Sequence, residues 1–138
     1  MAEVEEFIGV DVGTVRTGLA RGSSAARLAQ PLKTVDTKDA IDEISELASE
    51  LKAAGVVVGQ PRNLSGEDTK QTQWVRGWVE QTRLKIKLPF YAHDEALTSV
   101  NAQAEAPSGK ETVGVDARAA AAILQDFLDT PETERVVW

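Results

Sequence analysis

The segment FIGVDVGTVRTGLA, residues 7–20, constrains the fold more than any other stretch of the chain. Phe7, Ile8, Val10 and Val12 form an apolar run of strand length, and Thr17 to Ala20 form a returning strand. Gly13-Thr14-Val15-Arg16 lies between them as a tight turn, so the pair predicts a hairpin. One residue runs against the pattern. Asp11 is a carboxylate inside the apolar run, and an ionised carboxylate is costly to bury without partners. Either it accepts backbone N–H bonds from the turn at Gly13, or it joins acids supplied by later parts of the chain.

The later parts change period. A short third strand is expected near Leu28 to Leu32, after a turn at Gly22-Ser23-Ser24. From Asp39 onward Ile41, Ile44, Leu47, Ala48 and Leu51 recur at helical spacing, and Gly55 closes the pattern as a C-terminal glycine. Val56-Val57-Val58 is a continuous apolar run of the kind buried on both faces of a sheet. Gly59-Gln60-Pro61 stops it, and a polar loop from Arg62 to Gly66 follows. Ser65 to Asp68 has the form of a capping box, opening a helix whose inner face carries Trp74, Val75, Trp78 and Val79. Lys85 and Lys87 alternate with apolar residues, as on the wet face of a strand or its approach. Pro89 to Ala92 predicts the next strand, which ends at His93-Asp94-Glu95. A short helix is expected over Thr98 to Glu105, then a breaker at Pro107-Ser108-Gly109. A last helix, Ala117 to Asp129, buries Ala119, Ala120, Ile123, Leu124, Phe127 and Leu128, and residues 131–138 read as a loose tail. This order predicts an α/β fold: a five-stranded mixed sheet flanked by helices, its first three strands antiparallel and Asp11 near its centre.

Composition narrows the chemistry. A chain of 138 residues is expected to form one domain with its own core. There are no cysteines and one histidine, His93, which excludes thiolate and histidine-rich zinc sites and leaves hard oxygen ligands. No apolar run reaches membrane-spanning length, and MAEVEEFIGV lacks the basic n-region of a signal peptide, so a cytoplasmic protein with no membrane partner is expected. The net charge of −7 opposes non-specific affinity for nucleic acid, which is dominated by phosphate neutralisation. It is compatible with a nuclease, whose metal-binding carboxylates add to the acidic count.

Four segments, GVDVGTVRTGLA, VVVGQPRNLSG, AHDEALTSVNA and GVDARAAAAILQDFLD, resemble in the same order the signature blocks of the YqgF family. The resemblance runs from about Phe7 to Asp129. It implies a ribonuclease H-like fold and the activities ascribed to that family, Holliday junction resolution and nuclease maturation of pre-16S ribosomal RNA. It also implies a site. Asp11 matches the first-strand aspartate of ribonuclease H-like nucleases, Glu95 with Asp94 beside it matches the acidic pair after the family's fifth strand, and Asp116 matches the aspartate opening its last helix. Asn63 and Gly66 match the loop after the fourth strand. The implied catalytic set is therefore Asp11, Glu95 and Asp116, with Asp94 added as a metal ligand.

Phosphodiester hydrolysis needs an activated water and charge stabilisation on the phosphate, both of which divalent ions supply. Mg2+ or Mn2+ takes hard oxygen ligands and keeps several waters, so a few carboxylates suffice. Gly13 and Thr14 in the first turn, with Arg16, Arg62, Asn63 and Lys110, are the candidate contacts to substrate, which is expected to be structured RNA or branched DNA. Lys70 is a further basic candidate. Each acid also has a plainer role: Asp116 as cap of the helix at Ala117, Asp94 and Glu95 as solvated loop charges. His93 reads as a packing or hydrogen-bonding residue. Two departures from the family pattern remove positive charge: Ala96 and Gly114 stand where the family has basic residues. They motivate a second reading, an RNA- or protein-binding domain with weak or no catalysis. An actin- or sugar-kinase-like ATPase, which shares the D-x-G-T turn, needs two such domains and is excluded by length. The enzyme is expected as a monomer or homodimer.

Overall fold

The computed structural model describes residues 4–61, 65–94 and 114–138. The opening hairpin forms as expected, with seven cross-strand pairs. Strand β1 (Glu6–Val12) runs antiparallel to β2 (Arg16–Ser23), with Asp11 opposite Gly18, and β2 runs antiparallel to β3 (Ala29–Asp36). Helix α1 (Thr37–Leu51) crosses to β4 (Gly55–Gln60), and helix α2 (Lys70–Lys85) crosses to β5 (Phe90–Asp94). Both crossovers deliver parallel strands, β4 against β1 and β5 against β4. Helix α3 (Gly114–Asp129) follows, then a 3-10 turn at Glu132–Glu134 and the short β6 (Val136–Val137). The strand order is β3-β2-β1-β4-β5-β6, which puts β1 in the interior of a mixed sheet.

Strand alternation divides the core in two. On one face Ile8, Val10, Val12, Val56, Val58 and Phe90 pack against Ala40 and Ile44 of α1 and Val75, Trp78 and Val79 of α2. On the other, Phe7, Ala20 and Val57 pack against Ala120, Ile123, Leu124, Phe127 and Leu128 of α3. Among the described residues no helix is long and apolar enough to cross a membrane.

The sheet differs from expectation in one strand. The segment expected as a loose tail adds the sixth: Val136 and Val137 pair antiparallel with β5, and the Trp138 N–H donates to the Phe90 carbonyl at 2.9 Å. Side chains hold it there. The Arg135 guanidinium lies 4.4 Å from the Phe127 ring centroid and 5.4 Å from that of Phe7, while Trp138 packs on the first core. Other boundaries shift for local reasons. Lys52, in the left-handed region at φ 52°, ends α1 by donating its N–H to the Ala48 and Ser49 carbonyls, and Gly55 instead opens β4. The capping box of α2 is Thr69 with Thr72, not Ser65 with Asp68; the Thr72 hydroxyl also donates to the Pro61 carbonyl, which ties the helix start to the end of β4. Asp68 pairs with Arg76 at 2.6 Å. The inner face of α2 is Thr72, Val75, Trp78, Val79 and Thr82, so Trp74 falls outside it and is exposed, and Lys85 belongs to the helix. The helix expected over residues 98–105 lies outside the described residues.

Candidate active site

Asp11 is the penultimate residue of β1, half-buried between the buried Val10 and Val12. Alternation turns it toward the α3 face, the face of Phe7, because Ile8, Val10 and Val12 fill the other. Its cross-strand partner Gly18 points the same way, and what lies above Gly18 is the start of α3. A Cβ on Gly18 would sit 1.9 Å from the Asp116 carbonyl oxygen and 2.5 Å from the Ala117 nitrogen. Gly9, one strand over, is roofed in the same way by the Ala120 carbonyl at 2.8 Å. The two missing side chains let the helix backbone rest directly on the sheet. Its first turn, carrying Asp116, therefore arrives beside the strand residue that pairs with Asp11.

Helix α3 begins at Gly114, three residues before the expected start, so Asp116 sits inside the first turn rather than before it. There it interacts favourably with the helix dipole. Its Oδ2 forms an ion pair with Arg16, 3.3 Å from Nε. Gly114 has φ +86°, and a Cβ there would approach Thr34 Oγ1 at 2.9 Å. The absence of a basic side chain at this position thus has a backbone reason: this helix start uses a conformation that glycine adopts readily.

The turn that carries Gly13, Thr14 and Arg16 is fixed from two sides. The Gly13 N–H donates to the Arg16 carbonyl at 3.0 Å. From α1, the Thr37 hydroxyl donates to the Gly13 carbonyl at 2.6 Å and the Thr37 N–H to the Val15 carbonyl at 2.9 Å. Thr37 is a contributor that the sequence reading missed; a threonine opening a helix carries no signal that it will hold a turn 24 residues earlier. Thr14 and Arg16 are exposed on this turn.

The parallel strands end on the same side of the sheet. Val10 pairs with Val58, and Gly59 and Gln60 pair with His93 and Asp94, so the C-terminal ends of β1, β4 and β5 meet at the edge where Asp11 lies. Asp94 does not face Asp11. Phe90 packs in the α1–α2 core, and alternation from it sends Asp94 to that side. His93 takes the α3 side, where its Nε2 lies 3.2 Å from Asp126 Oδ2, the hydrogen-bonding role expected of it. Lys70 opens α2. Glu95, Arg62, Asn63 and Lys110 lie outside the described residues. Among the described residues no group of three potential metal-binding side chains converges; the Asp116 backbone lies over Gly18, the cross-strand partner of Asp11.

This architecture, a mixed sheet with an acid on its interior first strand and a second acid on the closing helix, is the fold of ribonuclease H-like proteins of the RuvC kind. Thermus thermophilus RuvC solved with a Holliday junction substrate matches 96% of this chain and 99% of its own with a TM-score of 0.64, at 18% identity. A second T. thermophilus RuvC structure matches with a TM-score of 0.55. Within that fold the sequence is more specific: residues 5–130 match the RuvX family, described as Holliday junction resolvase, and the chain belongs to it. RuvX is the YqgF family that the four segments resemble. Relatives carry the name "Putative pre-16S rRNA nuclease". One from Oleidesulfovibrio alaskensis is 37% identical, with 95% of this chain and 96% of the relative covered. One from Corynebacterium diphtheriae is 38% identical, with 88% and 82% covered. The chain is thus a member of a family of phosphodiester hydrolases.

Proposed function

We propose that this protein is a divalent-metal-dependent endonuclease that cuts phosphodiester bonds in structured nucleic acid, in pre-16S ribosomal RNA or in four-way DNA junctions. The observation that carries the reading is the descent of the α3 first turn onto Gly18, which sets Asp116 beside the strand position paired with Asp11. Family membership and the relatives' names agree with it.

Asp11 and Asp116 are two hard-oxygen donors on rigid elements, a donor set suited to Mg2+ or Mn2+, which need few protein ligands and keep several waters. Glu95 is the third ligand in this proposal. Asp94 is withdrawn from the ligand set because it faces the other side of the sheet. The ion, when bound, supplies charge stabilisation on the phosphate and an activated water. The chain's own residues do the rest. Strand β1 and helix α3 hold the acids in place against their mutual repulsion. The fixed turn at Gly13 and Thr14 lets a phosphate approach the backbone, and Arg16, Arg62, Asn63 and Lys110 contact substrate. The whole chain acts as one nuclease domain, a monomer or homodimer in the cytoplasm.

The test is cleavage of a synthetic four-way junction and of a hairpin RNA with a single-stranded extension, with and without Mg2+. Wild type cuts at least one of them only with the metal, and Asp11→Asn, folded by circular dichroism, cuts neither. Wild-type protein that binds these substrates without cutting them moves the assignment to the non-catalytic binding domain.

A further inference from the structure

The ion pair at the rim of the site is used incompletely. Asp116 lies 3.3 Å from Arg16 Nε, and the Arg16 side chain is 69% exposed. The ion pair is made at Nε, whereas the terminal nitrogens are the fork that binds phosphate oxygens in pairs. The backbone beneath is not free to move. Gly13, Val15 and Arg16 are bonded within the turn or to Thr37, and the Thr37 hydroxyl is also 2.8 Å from that of Thr17. Whatever Arg16 does, it does by side-chain rotation about a fixed point.

Resting on the metal-site reading above, we propose that Arg16 exchanges partners during the catalytic cycle. In the metal-free protein its guanidinium neutralises Asp116. A divalent ion taking the Asp116 carboxylate competes with that contact and repels the guanidinium. Arg16 then turns its fork to the substrate phosphate beside the site. It is a substrate-binding residue that couples metal occupancy to phosphate binding, so that the site grips nucleic acid best when it is loaded to cut it.

The exchange predicts opposite effects of one substitution on two ligands. Arg16→Gln removes the competitor, so Mn2+ alone, titrated calorimetrically into the full chain, binds roughly two- to fivefold more tightly, the range of an exposed ion pair. Arg16→Lys keeps the charge and stays near wild type. A synthetic four-way DNA junction, which calcium allows to bind without being cut, binds wild type more tightly in calcium than in EDTA. Arg16→Gln loses that calcium-dependent gain, and its salt dependence in calcium falls by about one phosphate contact. Mn2+ affinity in Arg16→Gln equal to or weaker than wild type overturns the exchange. A purely structural ion pair would lower stability without moving either affinity in this way. Asp11→Asn separates the two levels of argument: retained Mn2+ affinity there refutes the metal site itself, while lost affinity with an unchanged Arg16→Gln refutes only the exchange.

Discussion

Asp11 and Asp116 are held by different means, and their substitutions should differ accordingly. Asp11 is held by an interior strand whose neighbours Val10 and Val12 are fully or almost fully buried, so its position is set by the core and not by its own charge. Asp11→Asn is expected to keep the fold, with a far-ultraviolet spectrum like wild type, and to abolish the metal-induced rise in melting temperature, because an amide oxygen is a weaker ligand without charge. Asp116 has two further attachments, the helix dipole and Arg16. Asp116→Asn weakens both, at a cost of about 0.5–1.5 kcal/mol in metal-free protein. Urea denaturation in EDTA measures it, and 1 M salt should remove most of the difference, since both attachments are electrostatic at a partly exposed site. A loss that persists undiminished in high salt would mean that Asp116 packs rather than pairs.

At the scale of elements, the site depends on how closely α3 lies on the sheet. Gly18→Ala puts a methyl group into the Asp116 carbonyl, 1.9 Å away, and the helix must lift. The expected cost is about 2–3 kcal/mol or more in urea denaturation, with a parallel loss of Mn2+ affinity as Asp116 moves off Asp11. Stability that falls without any change in metal affinity would detach Asp116 from the site. This contact also marks where sequence reading stops. The hairpin, α1, the Val56-Val57-Val58 strand and α3 were legible because their patterns are local: period two, helical spacing, a short apolar run. Asp11, Asp116 and Glu95 were legible as candidates through ordered family blocks. That Gly18 seats Asp116, that Thr37 braces the turn, and that Asp94 faces away are products of packing and register between distant segments. The tail was misread for the same reason. Two valines are too short to signal a strand, and what orders them is Arg135 stacked on Phe127 and Phe7, and Trp138 bonded to Phe90. Removing residues 131–138 should cost about 2–4 kcal/mol, from the Arg135 cation–π contacts with Phe127 and Phe7 and a partly buried tryptophan. Metal affinity should survive, because Phe7, where the tail is anchored, lies at the opposite end of β1 from Asp11.

For the whole molecule the governing quantity is charge. The chain carries −7, and a nucleic-acid substrate adds more of the same sign, so a metal-free protein is poorly suited to approach it. In the proposed site each divalent ion would cancel two of those charges where the phosphate arrives. Metal binding is therefore expected to act twice, on stability and on substrate affinity. In the proposed site the acids are brought together by folding, so Mg2+ is expected to bind the folded state and to stabilise it by about 2.7 kcal/mol at a free concentration one hundred times its dissociation constant. In a chain of this length that is about 10 °C in melting temperature. General screening of a −7 chain by salt would also raise the melting point, so the comparison must be made with NaCl at equal ionic strength. The expected result is a rise with MgCl2 well beyond that with NaCl, saturating with concentration, and absent from Asp11→Asn. Equal shifts with the two salts would leave the carboxylates as ordinary surface charge and remove the basis of the nuclease site.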